Sequence, residues 1–333
     1  MLGQTSPSYG RSTALGESRF AWQHRAMSRS SVIGLVIAGC LVVACAASPS
    51  VHTQGPVVPS NLQSTQPPPI VAAERKEPTP VEHPEWRAHF AAEHVAGAIA
   101  LLDTTEGKVA CSDVALCQKP TIPASTFKIP NSMIALESGV VQDAESLLPW
   151  DGTHYAVPEW NRNNTLRTAV QVSCVPCFQA LARKVGQPRM QEWLVKLNYG
   201  NQDISGGIDQ FWLTGGLRVS PVQQLEFLRR FDEGALPISK RTAETVRDLI
   251  TLDVGQNYTL LGKTGFVRPP DVPELAAWFV GWLEFGSRKV YFATLITACE
   301  PGIDPKPARR AVTERLLRAL QFLPSDAAKA AND

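Results

Sequence analysis

The sequence predicts an α+β fold, an antiparallel sheet flanked by helices, and three observations carry that prediction. Apolar strand-like runs stand near both ends of the body, helix-period patterns fill its middle, and one more amphipathic stripe follows the last strand. With 44% hydrophobic residues among 333, the chain has apolar material for one large core or two modest ones. Its 32 basic and 31 acidic residues balance to +1, which gives no general electrostatic pull towards nucleic acid. The body has no apolar run of the roughly 18 residues needed to cross a bilayer, which argues against a multi-span membrane protein.

The amino-terminal part reads as targeting sequence rather than fold. Residues 1–26 look like an upstream extension outside the working protein. Residues 27–45 have the three parts of a secretory signal: a basic start at Met27-Ser28-Arg29, an apolar run from Val32, and small residues before Pro49. Val42-Val43-Ala44-Cys45 resembles a lipoprotein cleavage box and makes Cys45 the expected lipidation site and membrane anchor. Ile37-Ala38-Gly39-Cys40 is a second such box, and ordinary cleavage around Ala44-Cys45-Ala46 is the alternative. Residues 46–81 are Pro-rich without helix or strand period, a semi-extended tether between an anchor and a folded domain. Removing residues 1–47, with four Arg and one Glu, leaves the rest of the chain slightly acidic.

The folded body is expected over residues 82–325, with 326–333 as a tail. Gly97–Asp103 is an apolar strand, Thr104–Gly107 a turn, and Lys108–Cys111 the return strand. Helices are expected over Phe127–Glu137, Val175–Val185, Met190–Leu197 and Pro221–Phe231. Tyr258–Lys263, Ala276–Phe285 and Lys289–Thr297 read as strands, the last two joined by a turn at Gly286-Ser287-Arg288. Pro307 opens a final helix with Ala308, Val312, Leu316 and Leu320 on one stripe.

The chemistry begins at Pro123-Ala-Ser-Thr-Phe-Lys-Ile-Pro-Asn131. Ser125 stands at the expected start of a helix, and Lys128, three residues on, shares its face. A serine hydroxyl is a weak nucleophile and needs a base; a lysine one turn away serves once its ammonium is suppressed or chemically altered. The helix start adds unpaired N–H groups and positive dipole beside the reacting centre. Ser-x-x-Lys alone arises by chance about once in a chain of this size, so it needs company. That company is Lys263-Thr264-Gly265 at the end of an apolar strand, where a cation and a hydroxyl can meet a carboxylate and Gly265 admits close approach.

Ser-x-x-Lys at Ser125, Ser-x-Val at Ser173-Cys174-Val175, Tyr199-Gly200-Asn201 and Lys263-Thr264-Gly265, in this order, resemble a class D, oxacillinase-type serine β-lactamase. The resemblance covers most of the body, most specifically Tyr199–Leu213. It implies the β-lactamase/transpeptidase-like fold, an antiparallel sheet between a helical domain and a terminal helix pair. It implies hydrolysis of β-lactam antibiotics, small-molecule substrates, in the bacterial periplasm, by a monomer or a homodimer. Residue by residue, Ser125 resembles the nucleophile and Lys128 the lysine that captures CO2 as an N-carbamate (N6-carboxylysine) and acts as general base. Ser173 resembles the proton relay to the leaving nitrogen, and Trp212 the indole that holds the carbamate. Val175 and Leu213 would wall the lysine, and Lys263, Thr264 and Gly265 would line the substrate. Arg309 would pair with the substrate carboxylate, with Arg310 as its neighbouring rival. The N–H groups of Ser125 and Phe266 would form the oxyanion hole. Tyr199 and Asn201 would shape the site without a chemical step.

Some residues invite plainer readings. Trp212 beside Phe211 is by itself a core aromatic, and Tyr155, Trp160 and Arg162 read as packing. The six His show no metal-like spacing, so no metal is expected, and CO2 is the only added group implied. The body has five cysteines. Export makes bridges credible at Cys111/Cys117 and at Cys174-x-x-Cys177, but the preferred reading of the second pair is two small buried hydrophobes, with Cys299 the odd thiol. The rival function is a penicillin-sensing or penicillin-binding domain that is acylated without turnover.

Overall fold

The computed structural model describes residues 80–268 and 275–323. The signal segment, Cys40, Cys45 and nearly all of the Pro-rich tether lie outside the described residues.

The body begins with β1 (Val81–Glu82), α1 (Arg87–Ala91), β2 (Val95–Asp103) and β3 (Val109–Cys111). The middle holds α2 (Val114–Gln118), α3 (Lys128–Glu137), β4 (Leu147–Leu148), β5 (Asn164–Thr165), α4 (Leu166–Gln171), α5 (Val175–Val185), α6 (Gln187–Leu197), α7 (Pro221–Asp232) and α8 (Lys240–Leu249). The chain then returns to the sheet through β6 (Thr251–Val254), β7 (Tyr258–Val267), β8 (Ala276–Phe285) and β9 (Arg288–Cys299), and ends in α9 (Pro305–Ala319).

Seven strands form the main sheet in the order β1-β3-β2-β9-β8-β7-β6. All pairs are antiparallel except β1 with β3. Strand β8 shows why its continuous apolar run is a strand: both of its faces are covered, so no polar alternation is needed. Trp278, Val280 and Trp282 enter the core on the helical side, while Ala277, Phe279 and Leu283 enter the core on the other side. Strand β9 repeats this, with Tyr291, Ala293 and Leu295 on the first side and Val290, Phe292 and Ile296 on the second. The smaller core is closed by Phe90 of α1 and by Ala308, Val312, Leu316 and Leu317 of α9. The sheet thus lies between a helical domain and a terminal helix pair, as the resemblance to class D β-lactamases implies.

Several boundaries differ from expectation. Strand β7 runs on to Val267, because β8 pairs with it from Tyr258↔Phe285 to Val267↔Ala276 and satisfies its backbone throughout. Lys263-Thr264-Gly265 therefore sits inside a strand, not at its end. Helix α9 begins at Pro305, where the Asp304 side chain accepts the Lys306 N–H. Helix α8 is not among the expected helices, because only a narrow stripe of it is apolar; the Ser239 hydroxyl caps it by accepting the Thr242 N–H, and Thr242, Val246 and Leu249 are its buried residues.

The cysteines correct the preferred reading. Cys174 and Cys177 form a disulfide, with Cα atoms 5.4 Å apart. Cys111 and Cys117 are buried free thiols, the second on α2 rather than across a simple turn, and Cys299 is a half-buried thiol.

Candidate active site

Ser125 lies in a tight 3-10 turn, Ala124–Phe127, that leads directly into α3. The segment is clamped from three elements. Thr121 exchanges backbone hydrogen bonds with Val219, the Trp278 indole N–H donates to the Ile122 carbonyl at 2.8 Å, and the Ala124 N–H donates to the Trp212 carbonyl at 3.0 Å. Within the turn the Thr126 hydroxyl donates to the Pro123 carbonyl and accepts from the Gln224 amide. These bonds hold Ala124 at φ +50°, a left-handed conformation uncommon for alanine. Gly265 lets β7 lie against the turn, since a Cβ there would stand 3.0 Å from the Pro123 carbonyl oxygen and 3.2 Å from the Thr126 nitrogen.

Lys128 opens α3 and is 1% exposed. Its Nζ donates to the Ser125 hydroxyl at 2.9 Å and stands 5.2 Å from the centre of the Phe178 ring. Burial pushes the Lys128 ammonium well below the ordinary lysine range, and the nearby charge of Lys263 adds to the effect. Phe178 was not foreseen in the sequence. Its signal was available: it lies three residues after Val175 on α5, hence on the same helical face. Trp212 is fully buried and stacks on Phe127, with ring centres 5.3 Å apart. Its indole N–H, also buried, has no hydrogen-bond acceptor among the described residues. Leu213 is half-buried against the main core, and Val175 is half-exposed at the start of α5.

Ser173 joins α4 to α5 with φ +52°. Its hydroxyl accepts from Lys263 Nζ at 3.1 Å, and the same ammonium donates to the Thr264 carbonyl at 3.1 Å. Burial, with a smaller push from Arg309, lowers Lys263 to about 7. Arg309 reaches across from α9 and donates to the Gly265 carbonyl. Burial lowers its guanidinium to about 10, against the raising effect of Asp304. Arg310 instead pairs with Glu314 along the outside of α9. Phe266 follows Gly265 on β7, with the Lys306 ammonium 5.4 Å from its ring centre.

Lys128, Ser125, Ser173, Lys263 and Arg309 are thus gathered from α3, the 3-10 turn, the α4–α5 junction, β7 and α9. Of the residues read as packing, Trp160 lies against the main core with the Tyr155 ring centre 6.1 Å from its own and its indole donating to the Val172 carbonyl, whereas Arg162 is exposed. Tyr199 is buried with its hydroxyl towards Gln224, and Asn201 bonds to Gly216 and Arg218 in the neighbouring loop. No group of His, Cys, Asp or Glu that could hold a metal occurs among the described residues. The chemistry offered is a hydroxyl beside a buried amine, facing the Lys263 and Arg309 side chains, of which Lys263 has no carboxylate partner among the described residues. Such a site suits acyl transfer from a substrate that carries its own carboxylate.

That class of protein is the one the comparisons find. Residues 97–319 match the family described as the penicillin binding protein transpeptidase domain. Beta-lactamase OXA-10 of Pseudomonas aeruginosa is 44% identical over 214 residues, 64% of this chain and 80% of that protein. Beta-lactamase OXA-48 of Klebsiella pneumoniae is 35% identical over 243 residues, 73% of this chain and 90% of that protein. Among solved structures, the class D β-lactamase YbXI from Nostoc aligns with a TM-score of 0.68 at 38% identity, covering 72% of this chain and 99% of that one. FUS-1 (OXA-85), a class D β-lactamase from Fusobacterium nucleatum subsp. polymorphum, aligns with a TM-score of 0.69 at 30% identity, covering 73% and 100%. The chain belongs to the class D β-lactamase family.

Proposed function

We propose that this protein hydrolyses the β-lactam amide through a serine acyl-enzyme and so confers β-lactam resistance. The observation that carries the reading is the 2.9 Å contact between the Ser125 hydroxyl and a buried Lys128 whose ammonium is disfavoured. Ser125 Oγ attacks the lactam carbonyl carbon as its proton leaves towards the Lys128 end of the site. The N–H groups of Ser125 and Phe266 receive the oxyanion. The C–N bond breaks, and Ser173 passes a proton to the departing nitrogen, with Lys263 as its source. The proton taken up at the Lys128 end passes back to Lys263, after which water attacks the Ser125 ester, gives its proton to the Lys128 end and thence to Ser125 Oγ, and the ring-opened acid leaves. Lys263, Thr264 and Arg309 hold the substrate carboxylate, and Val175 and Leu213 wall the lysine.

An N-carbamate on Lys128 fits these residues. A carbamate anion in an apolar pocket needs donors, and the buried Trp212 indole N–H is a donor with no partner among the described residues. When bound, CO2 supplies an anionic oxygen base at the end of the lysine. Lys128 meets the requirement for taking it up, because burial favours the free amine that can react with CO2.

Penicillin turnover by the purified protein, beside intact-mass detection of the acyl adduct, tests the assignment. Wild type should turn over, and Ser125→Ala should carry no adduct. A labelled alanine variant would overturn the nucleophile. Stoichiometric labelling of wild type without turnover would favour the sensing or penicillin-binding alternative, which the named β-lactamases among the relatives do not favour. Export to the periplasm with lipidation at Cys45 is part of this proposal. Palmitate labelling lost in Cys45→Ser supports it, and loss in Cys40→Ser instead moves the site.

A further inference from the structure

Two residues of the site, Ala124 and Ser173, hold left-handed backbone without being glycine. The strain at Ala124 is absorbed by the hydrogen bonds around its turn. Ser173 is held differently on its two sides. On the amino side, the Trp160 indole fixes the Val172 carbonyl, the Ser173 N–H donates to Val170, and the Cys174 N–H donates to Ala169 at 2.8 Å. On the carboxyl side the chain enters α5, whose N-cap residue is Cys174. Helices are usually capped there by a side-chain oxygen. Here the cap is sulfur: Cys174 Sγ accepts the Cys177 N–H at 3.2 Å, and sulfur is a weak acceptor. The same sulfur is bonded covalently to Cys177.

That bond closes the first turn of α5 between its two working residues. Ser173, whose hydroxyl meets Lys263, immediately precedes Cys174; Phe178, whose ring faces Lys128 Nζ, immediately follows Cys177. A bridge spanning three residues restricts the unfolded chain little, so little global stability is expected from it. Its effect falls on local geometry. We propose that the Cys174–Cys177 disulfide is a positioning element of the proton relay, holding Ser173 in its left-handed turn with Oγ on Lys263. This inference rests on the relay reading of Ser173.

The test compares wild type, Cys174→Ala/Cys177→Ala and Ser173→Ala by initial rates on a chromogenic cephalosporin. Each is measured before and after treatment with a phosphine reductant, with far-UV circular dichroism and Tm recorded on the same samples. Loss of the bridge should lower kcat about tenfold with KM within about twofold, since slight misplacement of a reacting group acts on the chemical step. Reduction should do the same to wild type, nothing further to the double variant, and reoxidation should restore wild type. Should the folded double variant keep kcat within about twofold while Ser173→Ala loses at least about a hundredfold, the positioning role is overturned and the relay reading stands. If Ser173→Ala keeps its kcat, the relay reading falls and this inference with it. A double variant that fails to fold leaves the decision to reduced wild type. Reduced wild type that also loses its fold makes the bridge a structural staple and overturns the proposal.

Discussion

Lys128 and Lys263 differ from surface lysines because they are buried without a carboxylate partner among the described residues. An unfolded lysine titrates near 10.4, and Lys263 in the fold near 7. Between those values the unfolded chain binds the extra proton, so stability rises with pH across that window, and below about 7 the full penalty applies. Lys263→Met should therefore raise Tm, more at pH 6 than at pH 10, while abolishing turnover; an equal gain at both pH values would count against the burial argument. The proposed carbamate makes a second prediction. Lys128→Ala should form a long-lived acyl-enzyme slowly, and Trp212→Ala should regain activity with added bicarbonate, most visibly at low pH where the amine protonates. Full turnover by Lys128→Ala, or no bicarbonate response in Trp212→Ala, would count against it. At the carboxylate end, Arg309→Ala should raise KM by the equivalent of about 1.5–3 kcal/mol, the worth of a charged hydrogen bond, and Arg310→Ala should not. The reverse result would shift the assignment by one residue. Residue order alone separates these two arginines poorly, because they are neighbours; the phase of α9 against β7 separates them.

Strand β7 is the element on which the site depends most. It carries Lys263, Thr264, Gly265 and Phe266, and it passes so close to the nucleophile turn that a Cβ at Gly265 would stand 3.0–3.2 Å from Pro123 and Thr126. Gly265→Ala must displace Pro123 or Thr126 by a few tenths of an ångström, which moves Ser125. The expected result is a fall of about tenfold or more in kcat/KM, larger than the change in Tm implies; unchanged kinetics would show that the turn yields freely. The sequence identifies β7 as a strand but ends it at Lys263, because Thr-Gly reads as a terminus. Pairing with β8 overrides that local signal.

Across the whole molecule, the helical domain is fastened to the sheet by ion pairs around the buried Asp232 carboxylate as well as by the main core. Asp232, at the end of α7 with its side chain 3% exposed, accepts from Arg247 of α8 at 3.0 Å and from Lys289 of β9 at 2.6 Å. The Tyr291 hydroxyl donates to it at 2.7 Å. Arg247 and Lys289 also pair with Glu284 of β8, so Asp232→Asn removes one of the two carboxylates they share. With both partners more than a third exposed and still paired to Glu284, the expected destabilisation is about 1–2 kcal/mol, read by urea denaturation, with kcat at 25 °C unchanged. A variant as stable as wild type would show that solvent already screens the cluster.

The sequence by itself determined the α+β order of elements, because periodicity is a property of neighbouring residues: Val175–Val185 and Ala276–Phe285 are located to the residue. It also determined the meeting of Ser125 and Lys128, since one turn of backbone brings them together. Tertiary structure decided what depends on residues distant in the chain. Lys263 meets Ser173 across 90 positions, Trp278 holds Ile122 across 156, and burial of Lys128 is the work of several elements at once. The state of Cys174 and Cys177 belongs to the same class. Their spacing permits both a bridge and two free thiols, and only the fold of the α4–α5 junction, with Cα atoms brought to 5.4 Å, selects the bridge.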